Sequence, residues 1–297
     1  MKNRILCIGD IMLDVTVKVP TARIEGREIR SRITLNGGGA GANVATWLAA
    51  HQNQVYLIAR VGNDMAGKVL RDDLDNYQIE YDKNLIVNQP TGAVVVIVEP
   101  NGERTMYPNS GANQGLSPAD LPKEMNFAAA YLSGYSLVNP DSRQGTLEII
   151  DHLRKLNIPI WFDPATVGIM SEVSIKTILE WIKLMDFLCL NEEEAQFLSG
   201  KSNIMETLDF LLDLTPTVVI KRGSTGAIGK QRNKEFINLP AKKTEVIDST
   251  GAGDSFMAGL ISQYLIDNNL ESAIDNANDW GARCVAKIGS RPLVAHK

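Results

Sequence analysis

The chain has 297 residues, of which 44% are hydrophobic and 22% charged, and its formal net charge is −5. These values are ordinary for a globular protein built as one large α/β domain or two modest ones. No basic tract occurs, so the composition favours neither nucleic acid nor an anionic membrane as a partner. The densest apolar run, Ala93–Val98, is far shorter than the roughly 20 residues that a membrane helix needs.

The cysteines and the N-terminal residues bear on the cellular compartment in which the protein works. Cys7, Cys189 and Cys284 are widely spaced and lie in apolar stretches, which predicts buried free thiols in a reducing environment. The N-terminal residues run directly into a strand-like pattern and lack the apolar core of a signal peptide. The sequence therefore predicts a cytoplasmic protein.

Strand-like and helix-like segments alternate along the chain. Short apolar runs predict strands at residues 4–8, 55–61, 129–133, 159–162, 187–190 and 217–221. Helical periodicity predicts helices at residues 41–51, 65–76, 142–156, 174–183, 252–267 and 270–287. This alternation is typical of an α/β fold in which a mostly parallel sheet is covered by helices on both faces.

Two regions interrupt the alternation. At about residues 15–35 the chain has alternating, polar-rich strand patterns, and residues 91–108 have a hairpin pattern with a turn at residues 100–102. Neither region has a helix pattern, so together they predict a small β-sheet inserted into the α/β domain, with ordinary surface hairpins as the alternative. Because no repeat or low-complexity linker occurs, we expect one domain over residues 1–297.

Polar residues directly after strands are the first candidates for a site. In open parallel sheets, ligands bind at the carboxyl ends of the strands. The positions that qualify are Asp10, Asp14, Asp163, Asn191, residues 221–223 and the segment after Val246. For Asp163, a role in metal or substrate binding and a role as a turn-forming Asp-Pro residue remain equally open.

The segment from Asp248 to Asp254 has the strongest chemical pattern. It follows an apolar run, residues 244–247, that predicts a strand, and it opens a predicted helix. The first amides of a helix lack internal partners and carry partial positive charge, and small residues let a ligand approach them, so Gly251, Ala252 and Gly253 predict an anion site. A carboxylate beside such a site can abstract a proton from an attacking hydroxyl, although Asp254 could instead merely complement the helix dipole.

The segment DSTGAGDSFMAGLI, residues 248–261, resembles the C-terminal signature of the ribokinase-like, or PfkB, family of carbohydrate kinases. Other segments resemble further motifs of that family in the same order. These are GGGAGAN at residues 37–43, GAN at 111–113, NEEE at 191–194 and KRGSTG at 221–226. The resemblance spans nearly the whole chain. It implies a three-layer, Rossmann-like sandwich with a mostly parallel central sheet and a small β-sheet lid.

The resemblance also implies ATP-dependent phosphorylation of a hydroxyl of a sugar or sugar-like molecule. Asp254 would be the general base, and the amides of Gly251, Ala252 and Gly253 would hold the transferring phosphoryl group. The acceptor would lie on Asp14, Gly38, Gly39 and Asn43 under the lid. ATP would lie against Asn191, Lys221, Gly223, Gly226 and Asn278, with Mg²⁺ held by Glu194 through water. A monovalent cation such as K⁺ would be held by Asp248, Thr250, Cys284, Lys287 and Gly289.

The acceptor stays open among pentoses, ketohexoses, sugar acids, sugar phosphates and nucleosides. Ribose-specific members of the family usually have a lysine at the position of Ala40, and they often have a polar residue at the position of Met12. Both departures argue against ribose itself. The strand edges of the predicted lid could pair between two subunits, so we expect a homodimer.

Other patterns suggest different functions. Residues 62–68 nearly match a P-loop, but Val69 stands where its metal-binding hydroxyl would be. Residues 37–42 resemble a dinucleotide fingerprint without the acidic residue expected about 20 positions later, which leaves an NAD-dependent sugar dehydrogenase as a weaker alternative. A third alternative is a sugar-binding protein that has this fold without catalysis.

Overall fold

The computed structural model describes residues 3–21, 26–82, 85–101 and 103–293. Residues 22–25 of the first predicted lid region and Gly102 of the predicted hairpin turn lie outside the described residues. The described strands are β1 (Arg4–Ile8), β2 (Met12–Lys18), β3 (Arg32–Gly38), β4 (Gln54–Ile58), β5 (Val61–Gly62), β6 (Ile86–Val87), β7 (Ala93–Val98), β8 (Arg104–Asn109), β9 (Ala129–Ser133), β10 (Ile160–Asp163), β11 (Phe187–Asn191), β12 (Thr217–Lys221), β13 (Ala227–Gln231) and β14 (Ile237–Leu239).

The described helices are α1 (Ala40–Ala50), α2 (Met65–Asn76), α3 (Tyr135–Val138), α4 (Pro140–Lys155), α5 (Val167–Met170), α6 (Ile175–Ile182), α7 (Glu192–Ser199), α8 (Ile204–Leu212), α9 (Ala252–Asp267) and α10 (Leu270–Val285). Side-chain caps begin several of them: the Asp64 side chain accepts the Gly67 amide before α2, and the Asn269 side chain accepts the Glu271 and Ser272 amides before α10. Local polar residues therefore fix where these helices start.

The central sheet has the order β14-β13-β12-β11-β10-β9-β1-β4 in the described part of the chain. The pairs from β12 to β4 are parallel, and β13 and β14 extend the sheet in antiparallel fashion. The predicted mostly parallel α/β fold is therefore confirmed. The carboxyl ends of β1, β9, β10, β11 and β12 meet along one edge, as the strand-end argument requires.

Helices cover both faces of this sheet and give it three layers. Along β1, Ile5 and Cys7 pack with α1, α9 and α10, whereas Leu6 and Ile8 point to the opposite face, where α4, α6 and α8 lie. All four side chains are fully buried. Because both faces are apolar, the strands read as continuous hydrophobic runs, which is why the sequence predicted most of them correctly.

A separate small sheet is formed by the two regions that lack helices. Its order is β3-β2-β7-β8 in the described residues. β2 pairs antiparallel with β3 and parallel with β7, and β7 pairs antiparallel with β8. The strands lie a few residues away from the predicted bounds because Met12–Lys18 continues almost directly from β1.

One predicted strand is wrong. Residues 244–247 form no strand, and Val246 and Ile247 are 67% and 55% exposed. The amides of Ile247 and Asp248 donate instead to the carbonyl of Val285, at the end of α10. The β-branched residues of this segment suggested a strand, but its backbone bonds go to a helix end.

Candidate active site

The candidate anion site begins at Gly251, which precedes α9. Gly251 has φ 77°, and a Cβ there would lie 2.5 Å from the Cβ of Ser290. Only glycine fits this position without strain, so the sharp entry into α9 requires it. A Cβ on Gly253 would meet only the flexible Lys221 ammonium at 3.2 Å. The amides of Gly251, Ala252 and Gly253 thus lie at the start of a sixteen-residue helix, close to a cationic side chain.

Asp254 lies in the first turn of α9 and is partly exposed. Its Oδ2 accepts a hydrogen bond of 2.8 Å from Nδ2 of Asn43, on α1. Burial, together with the nearby Asp163 carboxylate, raises the pKa of Asp254 to about 7, against the hydrogen bond from Asn43 and the charge of Lys221. A carboxyl with a pKa near neutrality is well suited to accept a proton from a hydroxyl.

Acidic side chains gather at the strand ends around Asp254. Asp163 accepts a hydrogen bond of 2.8 Å from the Lys221 ammonium. Burial raises the pKa of Asp10, and burial followed by repulsion from Asp163 raises the pKa of Glu194 to about 7. Several carboxyl groups thus share one lysine, so a bound cation would stabilise their ionised forms.

Asn191 and Glu194 form a reciprocal cap at the start of α7. The Asn191 side chain accepts the Glu194 amide at 2.9 Å, and the two Glu194 oxygens accept the Asn191 amide at 2.8 Å and its Nδ2 at 2.6 Å. Each carboxylate oxygen keeps a free lone pair. Because Mg²⁺ keeps most of its waters and uses one or two carboxylates, these residues fit it, although the described chain contains no cluster of three or more acidic, histidine or cysteine ligands.

The predicted acceptor residues lie around the start of β2, the end of β3 and the start of α1. A Cβ on Gly38 would lie 2.2 Å from Oδ1 of Asp14, and a Cβ on Gly39, at φ 88°, would lie 2.6 Å from the carbonyl oxygen of Asp10. Both glycines are therefore needed to let β2, β3 and α1 approach each other. Burial raises the pKa of Asp14 to about 6, against the nearby charge of Arg291.

The predicted substrate-side turn, Gly111–Asn113, is a buried 3-10 turn. Asn113 donates to the carbonyl of Ile11 at 2.8 Å and accepts the Ile11 amide at 3.0 Å. The Asn113 side chain therefore holds the segment between β1 and β2 by hydrogen bonds to its main chain. Both ends of this carboxamide are used by the protein backbone.

The predicted nucleotide residues follow β12 and lie on α10. Gly223, at φ 56°, starts a 3-10 turn and faces open space, whereas a Cβ on Gly226 would lie 2.0 Å from the carbonyl oxygen of Leu239. Asn278 is 7% exposed and donates to the carbonyl of Pro240 at 3.3 Å. The space beside Gly223 is thus open, while Gly226 and Asn278 pack against the backbone of residues 239–241.

Some carbonyl oxygens among the predicted monovalent-cation ligands accept hydrogen bonds from side chains of this chain. The Lys287 ammonium donates to the carbonyl of Gly289 at 3.3 Å and also to that of Arg291. The Cys284 thiol donates to the carbonyl of Thr250 at 3.4 Å. Two of the predicted carbonyl ligands thus each accept a hydrogen bond from a side chain of this chain and keep a second lone pair, so the monovalent-cation site stays a prediction.

Asp248 is held by its own loop and by the small sheet. Its carboxylate accepts the Thr250 amide and the Gly289 amide, each at 3.0 Å. Arg104, on β8, donates to Asp248 at 3.0 Å and to the Thr250 hydroxyl at 2.8 Å. The small sheet therefore contacts the loop that leads into α9.

Sequence analysis missed Arg104 and Arg291. Both contact residues that are distant from them in the sequence, and neither arginine lies in a local motif. The P-loop-like segment, in contrast, is explained by packing. A Cβ on Gly67 would lie 2.2 Å from the Gly62 carbonyl oxygen, and Lys68 forms an exposed ion pair with Asp72.

Fold and motifs together define a phosphotransferase-like α/β protein, and comparison with known proteins gives its family. The model of the pfkB family of carbohydrate kinases matches residues 2–296. The chain belongs to this family and is a carbohydrate kinase, as predicted, so the dehydrogenase and non-catalytic alternatives are not supported. None of the helices in the described ranges combines the length and apolar character needed to cross a membrane.

Relatives include kinases for several acceptors. The chain is 29% identical to an ATP-dependent ribose-1-phosphate kinase of Halopiger xanaduensis, over 97% of this chain and 94% of the relative. It is also 29% identical to an aminoimidazole riboside kinase of Salmonella typhimurium, over 97% and 91% of the two chains. A fructokinase of Vibrio cholerae solved with fructose, ADP and calcium ion is 26% identical, with a TM-score of 0.82 over 97% and 94% of the two chains.

Proposed function

We propose that this kinase transfers the γ-phosphoryl group of ATP to a hydroxyl of a sugar or sugar-containing molecule, with Asp254 as the general base. The observation that carries the proposal is the position of Asp254. Its carboxyl has a pKa of about 7 and lies in the first turn of α9, directly after the amides of Gly251 to Gly253. The ADP-bound and fructose-bound fructokinase supports the choice of nucleotide and acceptor class.

In this mechanism each group has a separate task. Asp254 accepts the proton of the acceptor hydroxyl while the oxygen attacks the γ-phosphorus. The amides at the start of α9 stabilise the negative charge of the transferring group. Lys221, Gly223 and Gly226 lie near the nucleotide, together with Asn191 and Asn278. Glu194 would hold Mg²⁺ through water, and the ion would neutralise charge on the phosphates.

Asp14 and Asn43 are the proposed acceptor contacts, with Gly38 and Gly39 shaping the backbone beside them. A carboxylate accepts and a carboxamide donates, so together they can orient neighbouring hydroxyls of a polyol. The small sheet lies on this side and would exclude water, the competing acceptor. A nucleoside kinase is the second candidate, because one relative is by name an aminoimidazole riboside kinase.

Asp254→Asn tests the catalytic assignment. Because the amide is nearly isosteric but a much weaker base, kcat should fall by roughly 10²–10⁴ without any loss of thermal stability. Asp151→Asn, an exposed carboxyl on α4, is the matched control and should leave kcat unchanged. The assay is ATP consumption with Mg²⁺ in a panel of sugars, sugar phosphates and nucleosides, with and without K⁺. Full turnover by Asp254→Asn would overturn the assignment.

A further inference from the structure

Arg291 is a buried cation with acceptors in three directions. Its side chain is 7% exposed, although it follows the last helix near the C-terminal end of the described residues. Its Nε donates to Oδ1 of Asn43 at 3.3 Å, and its Nη2 donates to the carbonyl of Gly38 at 2.9 Å. Its Nη1 forms an ion pair with Asp73, on α2. One guanidinium thus joins α1, β3 and α2.

The contact with Asn43 decides which way the Asn43 amide faces. Oδ1 of Asn43 accepts from the Ser290 hydroxyl at 3.2 Å and from Arg291. A guanidinium can only donate, so it must face the amide oxygen. The NH₂ group of Asn43 is then left to donate to Asp254, at 2.8 Å. A reversed amide would place its oxygen against the carboxylate, and the hydrogen bond that lowers the pKa of Asp254 would be lost.

Through Gly38, Arg291 also contacts the residues predicted to bind the acceptor. A Cβ on Gly37 would lie 2.1 Å from Nη1 of Arg291, so the guanidinium fits only because position 37 is glycine. Gly38 is the residue whose missing side chain makes room for the Asp14 carboxylate. Arg291 therefore touches the strand end that shapes the space around Asp14, and its charge favours the ionised form of that carboxyl.

We propose that Arg291 is a positioning residue for phosphoryl transfer, which orients Asn43 toward the base Asp254 and fixes the Gly37–Gly38 strand end beside Asp14. This inference rests on the proposed function. It differs from a purely structural role, in which the Arg291–Asp73 ion pair would only anchor the C-terminal segment. The two roles predict different kinetics, because anchoring alone would leave the geometry of base and acceptor unchanged.

Three variants separate these roles. Arg291→Met removes every contact, Arg291→Lys keeps a charge that cannot reach three acceptors, and Asp73→Asn removes the ion pair while keeping the guanidinium. For Arg291→Met we expect kcat to fall and the KM of the acceptor to rise, by about 10–100-fold in kcat/KM, since small misplacements have effects of this size. Arg291→Lys should lose nearly as much. Asp73→Asn should stay close to wild type, and the KM of ATP should change less than threefold in all three.

The pH profile gives a second measurement. The charged groups that face Asp254 are Asp163, Lys221 and Asp10, and those that face Asp14 are Arg291 and Asp10. Arg291→Met frees the Asn43 amide, so the pKa of Asp254 should rise. The acidic limb of kcat/KM should then move to higher pH, whereas Asp73→Asn should leave it in place.

The outcomes distinguish this inference from the proposed function. If Asp254→Asn keeps turnover, the proposed function fails, whatever Arg291 does. If Asp254→Asn is inactive while Arg291→Met keeps its kcat, acceptor KM and pH profile and loses only thermal stability, the positioning role fails alone. Equal kinetic losses in Asp73→Asn and Arg291→Met would also overturn it. If Arg291→Met does not fold, Arg291→Lys is judged by the same criteria.

Discussion

Asp254 has a property that bears on stability as well as catalysis. Burial raises its pKa to about 7 from an ordinary value of 3.8, so the folded protein binds this proton more tightly than the unfolded chain. Between about pH 4 and 7, the native state therefore holds more protons than the unfolded state. The free energy of unfolding therefore falls as the pH rises through this window. Above pH 7 the full cost of burying the ionised Asp254 carboxylate is present.

We therefore predict that Asp254→Asn is more stable than wild type at pH 8 in the absence of ligands. An increase in melting temperature of about 2–4 °C corresponds to roughly 1 kcal/mol in a chain of this size, and the difference should shrink at pH 5. The measurement is thermal denaturation at both pH values. Asp163→Asn is the contrasting variant and should be less stable than wild type, because it leaves the Lys221 ammonium buried without its carboxylate. A lower melting temperature for Asp254→Asn at pH 8 would contradict the raised pKa.

At the scale of single residues, sequence analysis located positions that belong to contiguous motifs. Asp254, Gly251 and Asn191 stand in short segments whose chemistry is local, and the cap formed by Asn191 and Glu194 is readable from their spacing. Sequence analysis could not identify the role of Arg291, because its partner Asn43 lies 248 positions away in the sequence. The roles of the predicted site residues remain predictions until they are tested by substitution.

The start of α9 allows a test at the scale of an element. Gly251→Ala should destabilise the protein, because φ is 77° and the new Cβ would lie 2.5 Å from that of Ser290. Gly253→Ala has room in the fold and should keep the melting temperature. A larger side chain, as in Gly253→Val, should reduce kcat more than stability because it would crowd the amides that we propose to hold the phosphoryl group.

Thermal denaturation and ATP turnover of these three variants give the comparison. Loss of stability without loss of kcat in Gly253→Val would contradict an anion site at this helix start. Unchanged stability of Gly251→Ala would show that the backbone at position 251 is less constrained than its geometry indicates.

Elements were predicted well where the pattern is apolar and continuous. β9, β12, α2 and α9 have the predicted bounds. α7, α8, β13 and β14 were missed. The two strands are short and pair antiparallel at the edge of the sheet, where strands no longer alternate with helices. Residues 244–247 were misread because β-branched residues favour strands only when another strand is beside them.

At the scale of the whole molecule, the small sheet has two chemically different faces. Side chains alternate along each strand, and the cross-strand rows separate an apolar face from one that includes Asp14, Asn36 and Arg104. Arg104 contacts Asp248, so its face points toward the α/β layers. The apolar face points outward, and its most exposed members are Ile33, Leu35, Val95 and Tyr107, at 61%, 63%, 37% and 53%.

We predict a homodimer that covers this outward face. Wild type should sediment at twice the 32.5 kDa of one chain, and Leu35→Lys should sediment as a monomer because a buried lysine would be unpaired in the interface. Ile266→Lys is the control, since Ile266 is 73% exposed at the end of α9 and lies outside the small sheet. A wild-type chain that sediments as a monomer at micromolar concentration would contradict the prediction.

The contact between the small sheet and the loop before α9 has a consequence for how the small sheet can move. Arg104 holds both Asp248 and Thr250, and these residues precede the glycines at the start of α9. Moving the small sheet outward must break both bonds, which leaves Asp248 with the donors of Thr250 and the Gly289 amide. In the proposed mechanism, admission of an acceptor would therefore loosen the turn before α9, and this turn would become fully rigid only once the acceptor is enclosed.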